Sequence, residues 1–464
     1  MSEVGDLPPV IIAIVGAGPA AFYAAEALLK QTARAVQIDF FNRFPTPFGL
    51  VREGVAPDHQ SIKAVTRVYE KILDNPAVRY FGNVTFGIDI HHADLTSHYD
   101  QIIYAVGAQT DRQMGIPGED LRGSLAATMF VGWYNAHPEY AALGIDLTGE
   151  RVVVVGNGNV AMDVTRILVT ETDELSTTDM ADHAIAALRA SSVREVVMLG
   201  RRGPAQAAFT NAELKEFGEL HGVDVVVDRA DVELDAVSAA SLAENKIASK
   251  NVELLKTYAA RSLGGQPRRI VMRFLTSPVE LLGEDGHVAG VRIERNTLVD
   301  DGRGGLKAQG TGVYETIPCN MVLRSVGYRG VKLDSVPFDE RAGIIPNQVG
   351  RVTDGPGGPV VPGEYVVGWI KRGPSGVIGT NKPDSLATVQ AMLADMPAIA
   401  PAAPRDPLAI VELLAQRKPD VVTRGGWSAL DAHETGRGKE QGRPRVKLTS
   451  VADMLAIITG GEPR

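Results

Sequence analysis

Two stretches of this chain end an apolar run in the same kind of turn. "VIIAIV" (Val10–Val15) leads into Gly16-Ala17-Gly18-Pro19-Ala20-Ala21, and "RVVVV" (Arg151–Val155) leads into Gly156-Asn157-Gly158-Asn159-Val160-Ala161. A continuous apolar run that stops at glycine reads as a strand buried on both faces. Each GxGxxA turn then opens a segment without helix breakers, as far as Lys30 in the first case and Val169 in the second. The first glycine permits a tight turn, and the second lets the backbone approach a pyrophosphate. The small last residue lets helix and strand pack closely. The helix aims its free N–H groups and partial positive charge at the phosphates. One such turn is a weak signal and can be purely structural. Two of them, each flanked by strand and helix, confine the chain to an α/β fold with two dinucleotide-binding units.

Each unit needs a second strand, whose tip reads the ribose. "AVQIDFF" (Ala35–Phe41) supplies it in the first unit, and "VREVVMLGRRGP" (Val193–Pro204) in the second, after a helical insertion near Thr178–Arg189. A carboxylate gripping the ribose hydroxyls is expected at that tip. The first tip carries Asn42, with Asp39 further back in the strand. Asparagine accepts a hydrogen bond from a hydroxyl, without charge assistance. The second tip carries Arg201 and Arg202 and no acid. Two guanidinium groups match the 2′-phosphate of NADP with forked, charge-assisted hydrogen bonds. A solvated basic strand end is the alternative. Two dinucleotide sites, one reading for NADP, imply a relay with FAD in the first.

Later segments extend this frame. "YDQIIYAVGAQ" and "CNMVLRSVGYRG" are two similar strand endings, each closing on glycine. "GEYVVGWIKRGPSGVIGTNKPDSLATVQAML" reads as strand, glycine-rich loop and helix, with Gly376-Val377-Ile378 at the helix start. There, backbone N–H groups would stabilise negative charge on a reduced flavin. The proline-rich stretch 397–407 marks a connection, and the tail carries two short amphipathic helices near Leu408–Gln416 and Val451–Ile458.

The chain has 464 residues, too many for one hydrophobic core. Cys319 is its single cysteine, which excludes a disulfide framework, a redox CxxC and an iron–sulfur cluster held by its own thiolates. An inert buried thiol is the expectation there. The net charge of −9 argues against nucleic-acid binding. No apolar run is long enough for a membrane span, and the N-terminus lacks the pattern of a signal peptide, so a cytoplasmic location is expected.

The chain resembles the adrenodoxin reductase type of ferredoxin–NADP reductase, close to its actinobacterial members. The text that carries the likeness includes "IAIVGAGPAAFYAA", "PTPFGLVREGVAPDH", "YDQIIYAVGAQTDR", "FVGWYNAHP", "VVVVGNGNVAMDV", "MLGRRGPAQAAFTNAEL", "EYVVGWIKRGPSGVIGTNK" and "GRPRVKL". These blocks run from about Ile12 to Leu448.

The resemblance implies two Rossmann-like domains in a glutathione-reductase-like FAD/NAD(P) fold. An NADP domain (residues 113–324) would be inserted into a discontinuous FAD domain (1–112 and 325–464, with a C-terminal helical tail). FAD contacts carried over are Ala20, Asn42, Leu50, Val84, Trp369 and Gly376 to Ile378, with an acid in the family where this chain has Asn42. NADP contacts are Arg112, Asn157 to Val160, Arg201, Arg202, Glu213 and Gly376. His59 and Glu216 match positions near the flavin and nicotinamide. By themselves they read as loop packing and as a solvated helix face. Alignment matters more than acid–base chemistry for hydride transfer, so neither need be essential.

The implied activity passes a hydride from NADPH to flavin, and then single electrons to a ferredoxin-like iron–sulfur protein or a flavodoxin. The implied protein is a monomer. A flavin-dependent NADPH monooxygenase is the alternative; it typically shows FxGxxxH between its turns, and none is found here. A glutamate synthase small subunit would need an N-terminal cysteine-rich domain, which is absent. A carrier of prenylated partners would not need both glycine turns and the arginine pair. Acidic ferredoxins call for a basic docking patch. "GRGKEQGRPRVK" (Gly436–Lys447) is a candidate, with a solvated loop the favoured alternative.

Overall fold

The computed structural model describes residues 8–32, 34–302, 305–397 and 405–461. Most of the proline-rich connection, residues 398–404, lies outside the described residues, as does the start of the chain to residue 7. The chain divides into two compact units. One comprises Met1–Val55, His59–Thr110 and Gly327–Arg464; the other comprises Ala56–Asp58 and Asp111–Val326.

In the first unit, a seven-stranded sheet runs in the order Asn347–Gln348, Arg351–Thr353, Val360–Val366, Gln101–Tyr104, Val10–Val15, Val36–Asn42, Val78–Gly82. The last five are parallel; the two at the other edge pair antiparallel. Val10–Val15 is central, and its side chains alternate between two cores. Ile12 and Ile14 join the core under the helix Pro19–Lys30, while Ile11, Ala13 and Val15 face the other side with Phe41 and Tyr104. Every position is buried, and so every position is apolar.

The second unit repeats the logic. Its six parallel strands run Ser124–Ala126, Met321–Arg324, Arg151–Val155, Glu195–Leu199, Arg268–Arg273, Val223–Val227. Val152 and Val154 face the helices. Val153 and Val155 face Val288, Val291, Ile293 and Ile317 from a three-stranded antiparallel sheet (Thr276–Glu284, His287–Asp300, Leu306–Pro318). That sheet escapes sequence reading because its strands are largely exposed and polar on one side, without the solid apolar runs of the parallel strands. The insertion before Glu195 is two helices, Thr172–Leu175 and Asp182–Arg189.

The tail corrects an expectation. Its two amphipathic helices form at Ala409–Arg417 and Val451–Ile458, with a longer helix between them at Arg424–Glu440. Gly436–Glu440, expected in a solvated loop, therefore ends this helix, and the chain doubles back along it. Arg443 and Lys447 are buried. Arg445 pairs with Asp431 and Glu434. The charges of the candidate docking segment are largely spent inside the unit. Among the described residues, no helix is long and apolar enough to cross a membrane.

Candidate dinucleotide sites

The first glycine turn closes against its neighbouring strand end. Gly16 has φ +105°, and a Cβ there would lie 2.5 Å from the carbonyl oxygen of Ala105. Its N–H bonds the Phe41 carbonyl across the sheet at 2.8 Å. Gly18 is different: a Cβ would meet nothing within 4 Å, and no side chain caps the helix it starts. Open space and uncapped N–H groups at a helix N-terminus suit a pyrophosphate.

Two of the other expected flavin contacts, Leu50 and Trp369, follow glycines that abut this turn and its helix. Gly49 presses on it, since a Cβ there would lie 3.2 Å from the Gly18 Cα; Leu50, next in the chain, is exposed. Gly368 lies against Ala20, with 2.7 Å from its would-be Cβ to the Ala20 Cβ, which places Trp369 beside the helix start. The Trp369 indole donates to the Ser375 carbonyl. Gly376 and Val377 are exposed and precede the 3-10 turn Ile378–Thr380, which runs into the helix Asn381–Asp395. Val84 is buried and donates its N–H to the Asn42 carbonyl.

Asn42 ends its strand as expected, and its amide has a second job. Nδ2 donates to the carbonyls of Phe44 and Thr46, both at 2.9 Å. A carboxylate cannot make either bond. The amide orientation leaves Oδ1 as the acceptor for an incoming hydroxyl.

The second turn is built the same way. Gly156 has φ +132° and a would-be Cβ 2.2 Å from the Ser325 carbonyl oxygen, while Gly158 faces open space above an uncapped helix, Asn159–Val169. Gly156 N–H bonds the Leu199 carbonyl at 2.9 Å. The two look-alike strand endings thus have one function: Ala105 and Ser325 are the backbone walls against which the two first glycines turn.

The Arg201–Arg202 tip is held by its backbone alone. Asn296 Nδ2 donates to the Arg201 carbonyl, and Leu275 N–H to the Arg202 carbonyl. Among the described residues, neither guanidinium has a hydrogen bond or ion pair. Exposed Arg112 is likewise without one. Asn157 abuts the tip at Gly200, and Asn159 Oδ1 accepts the Thr210 N–H at 2.9 Å, tying the helix Asn211–Phe217 to the turn. Val160 packs on the core beneath.

The pyridine nucleotide-disulphide oxidoreductase family model matches residues 11–251, across both turns. The chain belongs to the pyridine nucleotide-disulphide oxidoreductase family. Among its relatives, NADPH-ferredoxin reductase FprA of Mycobacterium tuberculosis is 48% identical over 463 residues, covering 97% of this chain and 100% of the relative. The mitochondrial NADPH:adrenodoxin oxidoreductase of Arabidopsis thaliana is 38% identical, covering 97% and 95%. The solved structure of the M. tuberculosis FprA in complex with NADPH superposes with a TM-score of 0.93, covering 98% of this chain and 100% of that one.

Within this member of the pyridine nucleotide-disulphide oxidoreductase family, Cys319 has no dithiol role. It is the single cysteine, and burial pushes its thiol up to about 12. Glu213 and Glu216 correct the expectation of a solvated face, because Glu213 is buried and both acids meet the buried guanidinium of Arg166, at 3.2 and 3.3 Å. Arg166 also pairs with Asp58 through two nitrogens, at 2.8 and 3.0 Å, and with Asp163 at 2.9 Å. Burial opposes its charge, but the surrounding carboxylates hold its pKa above the usual arginine value. Sequence reading missed Arg166, since an arginine inside an amphipathic helix looks ordinary until its partners are known. His59 opens the short helix Gln60–Lys63 of the first unit, half-buried.

Proposed function

We propose that this chain is an FAD-containing NADPH:ferredoxin reductase. One observation carries the reading: two uncapped glycine turns with open space at their second glycines, the second followed by a strand tip bearing two arginines without protein partners. The relatives named for NADPH-dependent ferredoxin and adrenodoxin reduction support it.

In this reading, residues 1–112 and 325–464 hold FAD, and residues 113–324 hold NADP. Gly16 and Gly18 receive the FAD pyrophosphate and Asn42 Oδ1 a ribose hydroxyl, with Ala20, Leu50, Val84, Trp369 and Gly376–Ile378 around them. Gly156 to Val160 receive the NADP pyrophosphate, and Arg201, Arg202 and Arg112 its 2′-phosphate, with Glu213 and Gly376 completing the site. His59 and Glu216 shape the surroundings of the reacting rings. FAD, when bound there, would supply the redox chemistry of a two-electron acceptor that can give electrons singly. The iron–sulfur centre belongs to the partner when that partner is a ferredoxin; a flavodoxin is the other candidate acceptor, and the protein works as a cytoplasmic monomer.

Two measurements test this. NADPH-driven cytochrome reduction should depend on added ferredoxin; ferredoxin-independent oxygenation of a small substrate overturns the reading in favour of a monooxygenase. Arg201→Ala should weaken NADPH binding about 10–100-fold, roughly 1.5–3 kcal/mol for one charge-assisted contact, and leave NADH use unchanged. An equal fall with NADH would make the arginine structural.

A further inference from the structure

The Phe48–Gly49 turn, which leans on the first glycine turn, is held in an unfavourable shape. Phe48 has φ +85°, a left-handed conformation that a bulky side chain avoids, and Gly49 follows at φ +49°. Its link to the glycine turn is direct: the Phe48 N–H donates to the Ala17 carbonyl at 2.8 Å. Backbone strain of this kind persists only where neighbours over-determine it.

The neighbours come from the far end of the sequence. The short helix Leu50–Glu53 begins directly after the turn. Its Arg52 forks onto Glu434, 382 residues away, with bonds of 2.8 and 2.6 Å. Both side chains are buried, Glu434 fully. The same carboxylate accepts the Leu448 N–H at 2.9 Å and meets Arg445 at 3.1 Å, while Lys447 Nζ donates to the Arg52 carbonyl at 3.0 Å. Trp427, on the helix that carries Glu434, packs edge-on to the Phe48 ring at 5.6 Å, and the Arg52 guanidinium lies over the Trp427 ring at 5.5 Å. Gly438 lets the returning chain approach, since a Cβ there would sit 2.5 Å from the Arg445 Cα.

We propose that Arg52 and Glu434 form a latch through which the C-terminal segment positions the Phe48–Gly49 turn against the first glycine turn, and thereby sets how tightly the first unit holds FAD. Arg52 and Glu434 are positioning residues, acting through the 48–49 backbone. This inference rests on the reading of the first unit as the FAD site.

The test follows FAD release from the full-length holoprotein by flavin fluorescence on dilution, alongside melting at saturating FAD and NADP+ affinity. Glu434→Gln keeps the shape of the side chain and removes its charge. It should raise the FAD dissociation constant by about tenfold or more, with NADP+ affinity unchanged, because a loosened support costs preorganisation. Asp395→Asn breaks the Arg351–Asp395 ion pair elsewhere in this unit and should leave FAD affinity as in the wild type. A folded Glu434→Gln protein with wild-type FAD affinity overturns the proposal, and so does an equal loss with Asp395→Asn. If Glu434→Gln does not fold, Gly438→Ala decides by the same readout, since it displaces the returning chain without removing a charge. A wild-type protein that binds no FAD fails the underlying reading instead.

Discussion

At the scale of single residues, Asn42 shows how one position can serve two demands. Its amide nitrogen donates to two carbonyls of the following turn, and its oxygen is the acceptor that the proposed reading assigns to a ribose hydroxyl. Asn42→Asp would restore the acid common at such tips and remove both donors. Two carbonyls would then face a carboxylate across a partly buried turn. We expect a loss of about 1–3 kcal/mol in unfolding free energy, measured by denaturant titration, and weaker rather than tighter FAD retention. Tighter retention would mean that the ribose contact outweighs the turn. The arginine tip is the reverse case. The place of Arg201 and Arg202 just past a strand end could be read from the sequence, because a strand tip after a glycine turn has one address in the fold. Arg166 could not: its role lies in which acids meet it.

At the scale of elements, the two helices of the second unit that carry candidate site residues are pinned twice. Thr210 N–H bonds Asn159 near the helix starts, and Arg166 holds Glu213 and Glu216 further along. Arg166→Met would leave Asp58, Asp163, Glu213 and Glu216 clustered without the Arg166 charge. Breaking a buried pair in this way typically costs about 3–5 kcal/mol, and a denaturant titration should show it. In the first unit, the element to watch is the helix Arg424–Glu440. Burial alone would raise the Glu434 pKa, but Arg52, Arg445 and the Leu448 N–H hold it below the ordinary glutamate value. A folded-state pKa below the unfolded one means the carboxylate stabilises the fold above the unfolded pKa of about 4.3 and stops doing so as pH falls through the lower folded value. Glu434→Gln should therefore flatten the acid limb of the stability profile, and an unchanged acid limb would contradict this. The helix itself was half-hidden in the sequence. Its glycines, Gly425, Gly426, Gly436 and Gly438, each disfavour helix by about 1 kcal/mol against alanine. Packing overrides that preference, and at Gly438 it requires the glycine, because the returning backbone occupies the space of a Cβ.

At the scale of the whole molecule, what the sequence settled was local and repeated. Two strand–turn–helix units were legible because a strand buried on both faces must be apolar throughout, and a turn closing tightly against a neighbouring backbone must start on glycine. Gly16 against Ala105 and Gly156 against Ser325 are the contacts behind that pattern. The lone cysteine excluded a dithiol relay without any structure. The antiparallel sheet of residues 276–318 was not legible, since its half-exposed strands mix charge and small residues. Nor was the use of the tail. "GRGKEQGRPRVK" looks like a solvated cationic loop, and only the tertiary structure places its charges against Asp431, Glu434 and the Arg52 carbonyl. The reason is physical. Backbone sterics and burial act between near neighbours and leave a periodic mark on the sequence. A buried ion pair spanning 382 residues depends on two distant segments arriving together, and no local pattern records that meeting.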